Sequence, residues 1–250
     1  MDLELLEEAG LKKIKSAQNE PFRYFLKAVM AGFYLGVASI LSYSLGSVAG
    51  IIHPMFGKIA FALFFGLAFI LVVFLNGELF TGNCLTTILP VYSKKLRFID
   101  ILPNWVICYM GNFVGASLIG SLFILSGALS HQLTDFLSSI LVYKLDFDIT
   151  QLIIRSILCN FIVCIASYVS YKVKDEAAKV IILFIVIISF VLPGFDHSIA
   201  NMATFAMGVT AFPATINYSQ IFFNLLFSTF GNIIGGSVLM ALPLYLIYKK

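Results

Sequence analysis

Hydrophobic residues run through this chain in six long blocks, separated by short polar flanks. They cover approximately residues 28–52, 57–92, 102–127, 149–172, 178–212 and 217–248. Each exceeds the roughly 20 residues that a helix needs to cross a hydrocarbon core of about 30 Å, so the pattern predicts six transmembrane helices. Ahead of them, Leu3, Leu5, Leu6, Leu11 and Ile14 recur at near-helical spacing among Glu and Lys. That pattern predicts a cytoplasmic amphipathic helix lying at the membrane interface within residues 1–27. Residues 28–248 then form a single transmembrane domain, with repeats of about 28–127 and 149–248.

The second and fifth blocks are too long for one crossing, and breakers sit in their middles. Asn76-Gly77 opens N-G-E-L-F-T-G-N at 76–83, and Pro193-Gly194 opens P-G-F-D-H-S-I-A-N at 193–201. Unwound backbone at membrane depth is tolerated only where it is buried in protein or lines a wet cavity. Other blocks also repeat. G-N-F-V-G-A-S at 111–117 answers G-N-I-I-G-G-S at 231–237, and V-A-S-I-L-S-Y at 37–43 answers I-A-S-Y-V-S-Y at 165–171. Three blocks per repeat means that the second repeat enters the membrane from the opposite side. The expected fold is therefore an all-α integral membrane protein of two inverted three-helix repeats, with broken second and fifth helices around a midplane site. Gly111/Gly115 and Gly231/Gly235 are small-residue pairs four apart, suited to close helix packing.

Charge sets the orientation. All sixteen Lys and Arg except Lys58, Lys144 and Arg155 fall before the first block, between the second and third, between the fourth and fifth, or at the end. The positive-inside rule then places both termini in the cytoplasm. Composition agrees with a membrane solvent: 60% of residues are hydrophobic and 12% charged, against about 45–50% and 25% in soluble domains. A net charge of +3 gives no reason to expect a nucleic-acid partner. The first 27 residues are too charged for a secretory signal. Cys84, Cys108, Cys159 and Cys164 have no C-x-x-C spacing, so the pattern supports packing rather than a metal site or disulfides. No cofactor is implied.

Polar residues inside the blocks carry the candidate chemistry. His197 lies just past the fifth-block break beside Asp196, Thr81 lies in the second-block break, and Asn160 and Asn232 lie mid-block. Asp196 is read as the acceptor that fixes the His197 ring, in preference to a cation ligand, and Glu78 as a cap for the half-helix after it. Lys144 is either an interface anchor or an attractor of anions into a vestibule, and Arg155 is read as an interface residue.

N-G-E-L-F-T-G-N (76–83), N-W-x-x-x-x-x-G-N-x-x-G-A (104–116), L-C-N-F-I-V-C-I-A (158–166), G-F-D-H-S-I-A-N-M (194–202) and G-N-I-I-G-G (231–236) together resemble the formate/nitrite transporter family. The likeness runs from about Phe22 to Tyr248. It implies an aquaporin-like six-helix protomer, assembled as a homopentamer in the membrane lipid of a bacterial or archaeal cytoplasmic membrane. It also implies a pore in each protomer for formate, nitrite or hydrosulfide. Carried over by motif, the central polar cluster is Thr81, His197 and Asn232, and the hydrophobic constrictions are Phe65, Phe69, Leu79, Phe80 and Phe190. Lys144 and Asn160 match a vestibule lysine and a supporting asparagine. Two departures stand out: Asp196, where many members carry Glu, and Phe69, where some carry a smaller aliphatic residue.

A bare anion crosses a dry constriction at high cost, so this reading includes proton exchange, with His197 or water relayed through it supplying the proton. A neutral-solute pore of aquaporin type is the alternative, although its N-P-A pairs are absent. A membrane-embedded enzyme would need a nucleophile or metal cluster at the breaks, and the sequence offers neither.

Overall fold

The computed structural model describes residues 2–249, the side chain of Asp2 excepted. In chain order the helices are α1 (Asp2–Asn19), α2 (Pro21–Ile52), α3 (Pro54–Phe65), α4 (Leu67–Phe74), α5 (Phe80–Thr86), α6 (Leu89–Tyr92), α7 (Phe98–Leu125), α8 (His131–Leu145), α9 (Ile149–Lys172), α10 (Glu176–Val191), α11 (Ser198–Ala211) and α12 (Tyr218–Ile233). A π-helical stretch, Ile234–Ala241, then leads into α13 (Leu242–Tyr248). No strand occurs among the described residues.

Five stretches are long and apolar enough to cross a membrane: Pro21–Ile52, Pro54–Phe74, Phe98–Leu125, Ile149–Lys172 and Tyr218–Tyr248. The expected span at 178–212 arrives instead as α10, of 16 residues, and α11, of 14, parted by residues 192–197. Neither piece reaches a full crossing length alone. The second block is likewise divided, into α3 and α4 before residues 75–79 and α5 and α6 after them. Both breaks use left-handed backbone, with φ of 52° at Asn76 and 85° at Gly194, residue types that tolerate it.

Helix ends follow local chemistry. Pro21 opens α2, and Pro54 opens α3, where the His53 ring accepts from Met55 N at 3.1 Å. The side chains of Ser130, Asp148, Asp175 and Asn217 accept backbone N–H groups at the starts of α8, α9, α10 and α12, relieving donors that have no partner within the helix.

Small residues bring the long helices together. A Cβ on Gly115 would lie 2.0 Å from the Val29 carbonyl oxygen, and one on Gly235 would lie 2.2 Å from that of Ile157. The two G-N motifs thus sit where α7 meets α2 and where α12 and the π-helical stretch meet α9.

Three features differ from the sequence expectation. The first long helix starts at Pro21, not near residue 28, because proline initiates it within a polar flank. The N-terminal helix does not turn its apolar face outward to an interface. Leu6, Ile14 and Ala17 are buried against the protein, and Gly10 lets α1 press onto Thr86. Glu7 secures that docking, accepting from Ser93 Oγ and pairing with Lys95 at 3.1 Å. Finally, residues 131–145 form α8, an additional helix whose Leu133, Leu137 and Leu141 are buried.

Candidate functional site

Two cavities approach the centre of the bundle from opposite ends. The one beside α8 has a volume of about 680 Å³ and is lined near its floor by Lys144, Phe65, Phe190 and His197. The one beside α1 has a volume of about 620 Å³ and is lined by Lys13, Glu78, Phe69 and Leu79. The two chain breaks meet between them.

At that meeting point Thr81 Oγ1 lies 2.9 Å from His197 Nε2, with both side chains buried. The other ring nitrogen, Nδ1, accepts the backbone N–H of Ala200 at 3.1 Å, so His197 caps the start of α11. A nitrogen that accepts carries no proton. The neutral ring therefore holds its hydrogen on Nε2, which donates to the threonine hydroxyl, an assignment that rests on hydrogen-bond geometry. Phe190 stacks against the ring, with centroids 6.0 Å apart.

Asn232 lies against the break rather than beside the Thr81 and His197 side chains. Its Oδ1 accepts from Ser198 N (2.9 Å), and its Nδ2 donates to the carbonyls of Asp196 (3.0 Å) and Ser156 (2.8 Å). Asn112 does the same in the other break: Oδ1 accepts from Phe80 N (2.9 Å), and Nδ2 donates to the carbonyls of Glu78 and Ala28 (both 2.8 Å). Asn160 joins the two sides, donating to the carbonyls of Thr81 (3.2 Å) and Asn232 (2.6 Å).

The charged groups also come in matching sets. Beside α8, Lys144 Nζ pairs with Asp196 at 2.9 Å. Asn201 donates to both Asp196 (3.1 Å) and Asn224 (3.0 Å), and Asn224 donates to the Lys144 carbonyl (2.8 Å). Beside α1, Lys13 Nζ pairs with Glu78 at 2.5 Å, Asn83 reaches Asn104 at 3.5 Å, and Asn104 donates to the Lys13 carbonyl at 3.3 Å. Burial works against the Lys13 charge, but Glu78 beside it more than offsets this and holds the ammonium above its ordinary value.

Two sequence readings give way here. Asp196 does not orient the His197 ring, because its carboxylate is engaged by Lys144 and Asn201 while the ring is held by Ala200 and Thr81. Glu78 is not a helix cap: its carboxylate accepts from Lys13 and from the Tyr24 hydroxyl (3.0 Å). The half-helix after it starts at Phe80, and its N-cap residue, Leu79, offers no side-chain cap.

Among the expected constriction residues, Phe65 and Phe190 meet edge to face on the α8 side, with centroids 6.5 Å apart. Phe69 and Leu79 line the α1-side cavity. Phe80 instead faces Trp105 and Tyr109, with centroids 6.0 and 5.2 Å apart, and lines neither cavity. It occupies the first position of α5, with Thr81 directly after it.

Sequence reasoning did not single out Lys13, Asn83, Asn104, Asn112, Asn201 or Asn224. A signal for one of them was present: aligning the two G-N motifs sets Asn112 opposite Asn232. Among the described residues no group of three or more His, Cys, Asp and Glu side chains converges to hold a metal ion. The four cysteines are buried free thiols.

The family model described as formate/nitrite transporter matches residues 3–246. The chain belongs to the formate/nitrite transporter family. It is 31% identical over 245 residues to the uncharacterised transporter YwcJ of Bacillus subtilis (strain 168), covering 97% of this chain and 96% of that one. Its fold is similar to a solved ion channel of the same family, with a TM-score of 0.90, 25% identity and 98% coverage of each chain. It is also similar to a solved pentameric formate channel with formate bound, with a TM-score of 0.82, 28% identity and coverage of 94% of this chain and 100% of that one. Members of the formate/nitrite transporter family are membrane channels or transporters, not enzymes. The paired breaks, the Thr81–His197 contact and the two lysine-carboxylate pairs are thus features of such a protein.

Proposed function

We propose that this chain carries small monovalent weak-acid anions, of the formate, nitrite and hydrosulfide class, through a pore within each protomer of a homopentamer. The protomer crosses the membrane six times as two inverted repeats. Both termini are cytoplasmic, so the α1-side cavity is the inner vestibule and the α8-side cavity the outer one. The charge bias along the sequence supports the orientation, and the pentameric formate channel of similar fold supports the assembly.

The observation that carries the reading is the pair of lysine-bearing vestibules that converge on one buried Thr81–His197 contact between phenylalanines. Each ammonium is offset by a single carboxylate in a half-buried position, so it attracts an anion without trapping it. As the passage narrows, lost hydration raises the anion's affinity for a proton, and the neutral acid crosses the apolar constriction. Imidazole Nδ1 is occupied by Ala200 N–H, so adding a proton to the ring would break the cap of α11. The proton therefore comes from vestibule water. His197 acts as a fixed donor through the Thr81 hydroxyl, orienting the permeant as it passes. Asn112, Asn232 and Asn160 hold the breaks that position these two residues.

Labelled formate, nitrite and hydrosulfide uptake into proteoliposomes at two pH values, beside glycerol and water, tests the assignment. Saturable or pH-accelerated uptake of the anions without glycerol flux is the expected result. Glycerol or water conduction without anion uptake would establish the neutral-solute reading instead.

A further inference from the structure

The hydrogen bonds that recur on the two sides allow the cavities to be compared position by position. Lys144, Asp196, Asn201 and Asn224 on one side stand where Lys13, Glu78, Asn83 and Asn104 stand on the other. Polar residues that serve a passage common to both ends are therefore shared. The walls are not.

On the α8 side a row of rings descends from the mouth to the centre. Centroid separations are 6.1 Å for Phe136–Phe61, 6.3 Å for Phe61–Phe65, 6.5 Å for Phe65–Phe190 and 6.0 Å for Phe190–His197. At the matching places of the α1-side cavity stand Leu5 for Phe136, Lys179 for Phe61 and Val72 for Phe190. The α1-side cavity has Phe69 and Tyr171 at its wall, but neither belongs to a row of rings like the one on the α8 side. The α8-side volume of about 680 Å³ falls in the ~300–1,000 Å³ range of sites for organic molecules.

We propose that the α8-side cavity binds aryl-substituted monocarboxylates, which plug the passage from that side. The carboxylate pairs with Lys144 Nζ, which gives one of its three donors to Asp196 and presents the rest to the cavity. The aryl group lies against Phe61 and Phe136, where it gains apolar burial and edge-to-face contact. Lys144 and Phe136 are eight residues apart on α8, about 12 Å of helix axis, which suits a ring joined to a carboxylate by a short chain. A ligand held this way lies across the route to His197. Its blocking action rests on the reading of this cavity as a permeation vestibule; its binding does not.

The test is calorimetric titration of the detergent-purified full chain at neutral pH with 3-phenylpropionate, and in parallel with 3-phenylpropan-1-ol. Saturable binding of the acid is expected, with the alcohol at least about tenfold weaker. Phe136→Leu and Phe61→Lys, which install the residues found at the matching positions, should each weaken acid binding at least about tenfold, while Phe136→Leu keeps formate uptake within about twofold. Should Phe61→Lys fail to assemble, Phe136→Leu alone decides. Equal affinity for acid and alcohol, or unchanged affinity in Phe136→Leu, overturns the proposal. The expected binding pattern in a chain that moves no formate would sustain the site and remove the proposed function. Formate uptake with no binding of the acid would do the reverse.

Discussion

Asn112 and Asn232, far apart in the sequence, make the same three hydrogen bonds. Each accepts from the backbone N–H that opens a half-helix and donates to two carbonyls, one of them in the break and one on the neighbouring long helix. Backbone unwound inside an apolar bundle leaves N–H and C=O groups without helical partners, and water is not there to satisfy them. A primary amide offers both donors and an acceptor in one plane, so it closes that deficit from a single position.

Replacing either asparagine by alanine is therefore expected to cost at least about 2 kcal/mol, because buried polar groups on each side lose their partner. Thermal melts in detergent should show a lowered Tm for Asn112→Ala and Asn232→Ala alike, with formate uptake strongly reduced in both. A normal Tm and normal uptake for Asn232→Ala would mean that the break holds itself.

Lys144 distinguishes a vestibule group from an interface anchor. Lys144→Ala should cut formate uptake at least about tenfold in protein that still elutes as an intact oligomer, and Lys144→Arg should recover part of it. Lys58→Ala, also at the wall of this cavity, should stay within about twofold. Equal losses in Lys144→Ala and Lys58→Ala would return Lys144 to the anchor reading.

The Lys13–Glu78 pair gives a pH signature. The Lys13 pKa is raised in the folded protein. Its contribution to stability is fully present below the unfolded lysine value of about 10.4 and is lost as pH rises through the folded one. The Tm difference between the native chain and Lys13→Met should thus be flat with respect to the lysine between about pH 6 and 9, and shrink only in strong alkali. A difference that collapsed near neutrality would show that the ammonium is not what holds α1 there.

His197→Asn separates water from the ring as the source of the proton. Asparagine is a good helix N-cap, so the variant keeps α11 in place but loses the Nε2–H contact to Thr81. Formate uptake should fall while retaining its dependence on pH. Uptake that became insensitive to pH would make the imidazole itself the source. Thr81→Ala should resemble His197→Asn, because it removes the other partner of the same contact, whereas His197→Phe should block the passage.

Periodicity and composition alone were enough to read long apolar helices, two interrupted ones and the matching G-N motifs, because lipid leaves a chain few ways to bury its backbone. The same readings placed Thr81 and His197 among the functional candidates, since polar groups in apolar blocks are costly and stand out, and Lys144 as one of the few basic residues outside the basic flanks. What they could not assign was partnership. Asp196 is adjacent to His197 in sequence, yet its carboxylate turns to Lys144. Glu78 precedes a half-helix but binds Lys13, which lies on the N-terminal helix. Phe80 falls within a pore motif but packs against Trp105 and Tyr109. Direction is lost at a break, where neither the helical nor the strand period constrains where the next side chain points. Helix α8, and the surface on which the predicted N-terminal helix α1 docks, were obscured for a related reason: their apolar stripes are narrow and cover the protein itself, so neither reads as a span. Hydrophobic burial is non-directional and leaves its trace in composition. Hydrogen bonds and ion pairs across the breaks depend on distances of about 3 Å, and those are decided only when the two halves come together.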